Sequence, residues 1–239
     1  VVNDIKISLG RTGVATPYAE LEEVDLDGVK IKSASLHNID YIDSKDIRVG
    51  DEVVIERAGD VIPQIIKVSE KNKRIADSKK FKMPENCPVC NSELLKNLDD
   101  PFTKCLSNEC DDQIKRSLEH FSSKNCVEIE GLGEGIINIL FKNKLASSIT
   151  DLYKLTYEEL IKLEGFQDKS ANNLLESISK SKKVIPEKLL HGLGIPHVGS
   201  EISEILLLNF KNINKIFDSP EEDILEIDGI GPKIYESLN

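Results

Sequence analysis

The sequence predicts a multidomain α+β protein: a small closed β-barrel, then a four-cysteine module, then an all-α part made of four repeated helical hairpins. Three observations predict it. Period-two alternation with turn residues runs to about residue 75, two close cysteine pairs lie between residues 87 and 110, and a glycine-containing signature recurs every 32–34 residues through sequence of helical period. The expected divisions are 1–76, 77–112 and 113–239.

Composition sets the frame. With 239 residues, 39% hydrophobic and 31% charged, the chain reads as an ordinary soluble globular protein with room for one large or several small domains. No apolar run approaches the roughly 18 residues of a membrane span, and the opening "VVNDIKIS" lacks the regions of a signal peptide. A cytoplasmic, monomeric protein with no membrane partner is expected. The chain starts without Met inside what reads as a β-rich segment, so a piece of something longer is expected. The net charge of −11 argues against electrostatic, sequence-blind nucleic-acid binding as the sole activity. That charge is uneven: residues 1–82 carry 14 Lys and Arg against 15 Asp and Glu, residues 83–112 carry 2 against 7, and residues 113–239 carry 15 against 20. Any DNA contact in the acidic helical half must therefore lean on local geometry and backbone donors.

In the first segment "VDLDGVKIKSAS" sets Asp27-Gly28 between β-rich runs, a hairpin signal. "DEVVIERAGDVIPQIIKV" gives two more runs joined by Ala58-Gly59-Asp60. Between them, Ile39, Ile42 and Ile47 of "NIDYIDSKDI" have loosely helical spacing. Several strands with one short helix before the fourth suggest a closed barrel of the oligonucleotide-binding (OB) type, with a generic ligand-free barrel as the bland alternative.

The second segment reads "CPVC" at 87–90 and "CLSNEC" at 105–110, a Cys-x2-Cys, fourteen residues, then Cys-x4-Cys. Two close pairs joined by a loop let Cys87, Cys90, Cys105 and Cys110 converge as four tetrahedral thiolates, and Pro88 and Asn91 suit the tight knuckle that aims two sulfurs at one ion. The alternative is two disulfides, which a cytosolic setting disfavours. Four protein thiolates leave no position open for water, so structural Zn²⁺ is expected, stabilising a segment too short to own a core. Cys126 falls outside the spacing and reads as a small core residue, with His120 a less favoured substitute ligand.

From about residue 113 the period becomes helical. Thr156 and Glu159 have capping-box spacing, and "GIINILFKNK" and "SEISEILLLNF" each space their apolar residues for one buried face. Aligning "IEGLGEG", "LEGFQDK", "IPHVGSE" and "IDGIGPK" puts Gly133, Gln167, Gly199 and Gly231 in one slot. A nucleotide-binding glycine loop would follow a strand of a βαβ unit, and no such strand is present. The repeated unit is instead helix, tight hairpin, helix. Its glycines permit positive φ, Gly231 among them, and close approach, which leaves backbone N–H groups at the next helix start for a phosphate oxygen. The apolar residue between, Leu132, Phe166, Val198 or Ile230, pins the hairpin to its own helices. Backbone donors read no sequence, so an acidic domain can still hold DNA. Plain helix-joining turns remain the alternative.

These residues also carry a resemblance. "LGRTGVATPYAELEEV", "SLHNIDYIDSKDIRVGDEVVIERAGDVIPQ", the four-cysteine segment and the four hairpins, in this order, resemble the C-terminal half of bacterial NAD-dependent DNA ligases. The resemblance implies nick sealing: adenylation of a lysine by NAD, transfer of AMP to a 5′-phosphate, then attack by the 3′-hydroxyl with release of AMP. It implies NAD and Mg²⁺ for the full-length enzyme, both bound mainly outside this chain. The family's adenylated lysine lies in a Lys-x-Asp-Gly motif of an upstream nucleotidyltransferase domain, and the nearest string here, Lys162-Leu163-Glu164-Gly165, sits inside the second hairpin. No catalytic residue is therefore assigned.

By the same resemblance, Arg11 and Thr12 of "GRTG", with Arg57, Val61 and Ile62 of "RAGDVIP", look like the barrel surface facing the minor groove of nicked duplex DNA, with core packing the alternative for Val61 and Ile62. The hairpin contacts expected from the repeated glycine turns are Gly131, Gly133, Gly165, Lys169, Gly199, Gly229, Gly231 and Lys233. Two departures weaken the middle hairpins: Gln167 occupies a glycine slot, and His197 replaces the first glycine of the third copy. A non-catalytic protein recognising DNA junctions or gaps is the competing class. An upstream Lys-x-Asp-Gly would discriminate the two.

Overall fold

The computed structural model describes residues 1–26, 28–58, 62–71, 74, 78–96 and 101–239; for Arg57, Ala58 and Ile62 it describes the backbone only. By contacts the chain falls into two units, Val1–Gln113 and Ile114–Asn239, and each is taken by itself.

In the first unit, strands β1 (Val2–Leu9), β2 (Val14–Leu26), β3 (Val29–Ser35), β4 (Val53–Ala58) and β5 (Ile62–Val68) enclose one core, with helix α1 (Ile39–Lys45) between β3 and β4. Alternation explains β2, where Ala15, Pro17, Ala19 and Leu21 are buried while Thr16, Tyr18 and Glu20 between them are only partly buried. The loop expected at Asp27-Gly28 does join two paired strands, Leu26 opposite Val29, though Asp27 itself lies outside the described residues. The Gly59-Asp60 turn lies outside them too, while its flanks pair with Ala58 opposite Ile62. Strand β3 meets β5 in parallel at Ser35 and Gln64. The Val2 N–H donates to Asp51 O at 2.9 Å and the Gly50 N–H to Val2 O at 2.8 Å, which ties β1 to the chain entering β4. The expected barrel with its helix before the fourth strand is thus present. Its core gathers Val2, Ile5, Leu21, Ile31, Leu36, Ile42, Ile47 and Ile65.

Helix α1 starts where Asn38 Oδ1 accepts the Tyr41 N–H at 2.8 Å, and ends at Asp46 in the left-handed region. Asp46 then joins an ion network: Arg74 bonds both Asp46 and Asp51, and Arg48 donates from its guanidinium to Asp46. Asp51 is only 1% exposed, so its charge depends on Arg74 Nε at 2.8 Å and on the Arg48 N–H, also at 2.8 Å. The Arg74 guanidinium, first among the neighbours of Asp46, holds that carboxyl below its ordinary range.

Two short strands complete this unit, β6 (Leu94–Lys96) and β7 (Thr103–Cys105). Strand β7 pairs with β2 at Val14–Lys104 and Ala15–Thr103, so the four-cysteine segment is hydrogen-bonded to the barrel sheet. The sheet order is β4-β5-β3-β2-β7-β6, with β1 on β2.

Helix α2 (Asp111–Ser122) leads into the second unit, where α3 (Glu134–Lys142), α4 (Ile149–Leu152), α5 (Tyr157–Leu160), α6 (Asp168–Ser181), α7 (Pro186–Gly192), α8 (Ser200–Phe210), α9 (Ile213–Asp218), α10 (Glu221–Leu225) and α11 (Pro232–Leu238) follow. Two apolar clusters form its core. One gathers Leu118, Phe121, Val127, Leu132, Ile137, Leu140, Leu160 and Leu174, the other Leu190, Val198, Leu206, Ile216, Ile224, Ile230 and Leu238. The capping box read at Thr156 and Glu159 starts α5, with Thr156 N–H to Glu159 Oε2 at 2.9 Å. Among the described residues, no helix is long and apolar enough to cross a membrane.

Candidate functional site

The four turns of the helical unit share one backbone geometry. Gly131, Gly165, His197 and Gly229 have φ of 86°, 86°, 64° and 85°. The next residue turns its N–H back three positions: Leu132 to Ile129 O, Phe166 to Leu163 O, Val198 to Ile195 O and Ile230 to Ile227 O, all at 3.1–3.2 Å. One residue later the chain is extended at Gly133, Gln167, Gly199 and Gly231, the N-caps of α3, α6, α8 and α11. Leu132, Val198 and Ile230 are buried and Phe166 packs on the first cluster, which is how each turn is pinned.

This corrects one expectation. Gly231 does not need positive φ: its φ is −111°, and the left-handed position is Gly229. The turn must reverse before the helix begins, and the residue that starts the helix is extended, as N-caps are. At Gly133, Gly199 and Gly231 a Cβ would meet nothing within 4 Å, so these glycines leave open space over the helix start. Among the described residues no acceptor takes the N–H of Gly133, Gly199 or Gly231, whereas in the second turn Ser170 Oγ takes the Gln167 N–H at 2.8 Å. His197 adopts the left-handed conformation without being glycine, so the third turn keeps its geometry.

On the barrel, Arg11 and Thr12 form the β1–β2 turn, closed by Gly13 N–H to Gly10 O at 3.0 Å; Thr12 is exposed and Arg11 half-buried. Val61 and the side chains of Arg57 and Ile62 lie outside the described residues. Lys169 and Lys233 sit in the first turns of α6 and α11.

The four cysteines are brought together. Cys87, Cys90, Cys105 and Cys110 place their sulfurs within 4.8 Å of one another, so the cluster could hold a metal ion. Cys90 Sγ lies 3.5 Å from Cys105 Sγ, and Cys87 Sγ lies 4.0 Å from Cys110 Sγ. Tetrahedral zinc with Zn–S bonds of about 2.3 Å sets sulfur–sulfur edges near ~3.8 Å, which these distances bracket. All five cysteines are free thiols. The knuckle takes the form the sequence suggested: Asn91 is left-handed at φ 61°, Asn91 N–H returns to Cys87 O at 2.9 Å, and the Val89 and Cys90 N–H groups point at Cys87 Sγ at 3.4 and 3.5 Å. Ser92 beside Cys90 brings that thiol down to about 6, whereas burial pushes the Cys105 thiol up to about 12 and raises Cys110 as well.

Three supporting residues were not read from the sequence. Gly13, at φ 77°, would place a Cβ 2.1 Å from Cys105 O, so a bare backbone is required where the barrel meets the module. Gln113 Nε2 donates to Cys105 O at 3.0 Å and Ser107 O at 3.2 Å, fixing the second cysteine pair, and Ser92 tunes Cys90. Only the glycines flanking Arg11-Thr12 hinted at the first; the others depend on contacts that spacing does not encode.

Fold and site together define an α+β protein that joins an OB-type barrel, a four-thiol module capable of holding a metal, and helical hairpins of a DNA-binding kind. Residues 1–77 match the NAD-dependent DNA ligase OB-fold domain, and residues 188–239 match the helix-hairpin-helix motif. The chain is 44% identical to a DNA ligase of Bacillus licheniformis over 98% of its own length, 45% identical to that of Bacillus pumilus over 98%, and 43% identical to that of Natranaerobius thermophilus over 99%. It resembles bacterial NAD-dependent DNA ligases over almost its whole length, and it spans only 35–36% of those relatives.

Proposed function

We propose that this chain is the DNA-clamping part of an NAD-dependent DNA ligase, a nick-sealing enzyme that joins 3′-hydroxyl and 5′-phosphate ends of duplex DNA. In this reading the parts 1–76, 77–112 and 113–239 act as OB-fold barrel, zinc module and helix-hairpin-helix domain, and the chain binds nicked DNA without itself carrying the adenylated lysine. No Lys-x-Asp-Gly occurs in it, and the Lys162 string lies on the turn before α6. NAD and Mg²⁺ act in a nucleotidyltransferase domain that lies upstream of these residues in the longer ligase polypeptide.

The observation that carries the reading is the shared turn geometry. Each left-handed pivot followed by an extended N-cap aims helix-start amides outward, and three of the four turns keep glycine there, so a phosphate can come close. All four turns are read as helix-hairpin-helix copies; in the second, Ser170 takes the N-cap amide, and in the fourth, Pro232 leaves the first helical position without an N–H, so that turn relies on the amides of Gly231 and Lys233. Gly131, Gly133, Gly165, Lys169, Gly199, Gly229, Gly231 and Lys233 form this contact set, and Arg11, Thr12, Arg57, Val61 and Ile62 form the barrel's minor-groove face. Cys87, Cys90, Cys105 and Cys110 hold structural Zn²⁺, with no open position for chemistry.

The test is fluorescence anisotropy with 5′-phosphorylated nicked duplexes of two unrelated sequences. Saturable binding of equal affinity to both is expected, because backbone donors do not read bases. Binding to one sequence alone, or tighter binding to four-way junctions than to nicks, overturns the reading. Incubated with labelled NAD and Mg²⁺, the chain should gain no covalent AMP. An adduct on Lys162 would contradict the assignment of the chemistry elsewhere.

A further inference from the structure

The helical unit holds a second set of metal-ligating side chains, unrelated to the four cysteines. His120 near the end of α2, Cys126 in the turn after it and His191 near the end of α7 place a ligand atom each within 4.8 Å of one another. We propose that His120, Cys126 and His191 form a second metal site, one that takes a thiophilic d-block cation of the Zn²⁺ kind.

The distances fit. Cys126 Sγ lies 3.6 Å from His191 Nδ1, and tetrahedral zinc with Zn–S near 2.3 Å and Zn–N near 2.1 Å sets a sulfur–nitrogen edge of about 3.6 Å. His120 Nε2 lies 2.9 Å from His191 O and 3.6 Å from Cys126 Sγ, and its Nδ1 lies 4.0 Å from that sulfur; because a carbonyl can only accept, Nε2 carries the proton and Nδ1 is the nitrogen with a lone pair to offer a metal. A histidine whose far nitrogen donates to a backbone carbonyl is the usual partner of a metal, because the bond fixes both tautomer and ring orientation. One thiolate and two neutral imidazoles are a donor set that favours zinc, cobalt or copper over calcium or magnesium.

Burial fits as well. Cys126 is 0% exposed while both rings are half-buried, so the ion reaches the sulfur from the imidazole side. The backbone at Gly192, beside His191, comes so close that a Cβ would meet Val127 at 3.2 Å and Cys126 and Phe121 at 3.4 Å, which holds the ligands in register. Val127 and Phe121 belong to one apolar cluster and Leu190, next to His191, to the other. A bound ion therefore cross-links the two halves of the helical core. Three protein ligands leave a fourth position for water.

The experiment counts metal on the tag-free chain after saturation with Zn²⁺ and desalting. Two zinc per chain are expected, falling to one in Cys126→Ala, in His191→Asn and in Cys87→Ser, and to none in Cys87→Ser with Cys126→Ala. With Co²⁺, Cys126→Ala should lose the single-thiolate charge-transfer band and keep that of the four-thiolate centre. If Cys126→Ala fails to fold by far-UV circular dichroism, His191→Asn at a half-exposed position gives the same count. One zinc in the wild type, with none in Cys87→Ser, overturns this site while leaving the four-cysteine centre standing. One in Cys87→Ser with none in the double variant upholds it even if the wild-type count is blurred.

Discussion

His197 holds the third hairpin in a left-handed conformation, φ 64°, where the other three hairpins have glycine. A side chain there costs about 1–2 kcal/mol, part of which glycine's greater unfolded entropy returns, so His197→Gly should raise stability by about 0.5–1 kcal/mol in urea unfolding. Gly229→Val tests the same geometry from the other side, and should cost about 1–3 kcal/mol because valine must adopt φ near 85°. Gly231→Val should cost only about 1 kcal/mol or less, since that residue is extended and faces open space. The glycine pairs were legible from their spacing, and so was the burial of the residue between them. Which glycine turns left-handed was not, because that depends on where the next helix starts, and a Gly-x-Gly string is compatible with either choice. His197 shows the limit from the other direction: as a departure from the motif it weakened the third copy on paper, yet its backbone follows the same path.

At the scale of elements, the four-cysteine module shows how spacing and contact divide the information. The convergence of the four cysteines and the knuckle were legible because two close pairs joined by a loop can meet at one point. That β7 would extend the barrel sheet through β2, under Gly13, was not, since three-residue strands carry too little alternation to announce a partner. Cys87→Ser should abolish zinc in the module and loosen β6 and β7, while far-UV circular dichroism of the helical unit is largely kept. Loss of most helical signal would contradict this division. The short helix α4 makes a pH prediction. Ser148, then Lys154, hold the Asp151 carboxyl well below the usual range. A carboxylate whose folded pKa is depressed stabilises above its unfolded value of about 3.9 and loses that contribution as pH falls below it. Stability should therefore drop steadily on acidification below pH ~4, and Asp151→Asn should flatten that part of the profile.

The whole molecule poses a charge problem, because a chain of net charge −11 is read as a DNA clamp. Under the proposed function the work is divided between neutral backbone amides at the hairpins and cations at the barrel. Each cation that neutralises a phosphate steepens log K against log salt by about 0.9, whereas an amide releases no counterion. The most direct measurement is a salt titration of nicked-duplex binding by the wild type, Arg57→Ala and Gly231→Val, with folding checked by circular dichroism. Arg57→Ala should flatten the slope by roughly one unit, and Gly231→Val should lower affinity at every salt concentration with the slope unchanged, because its side chain obstructs the approach without disturbing the fold. Normal binding by folded Gly231→Val, or equal slope changes in both variants, would contradict the claim that the hairpins hold phosphate through their backbone.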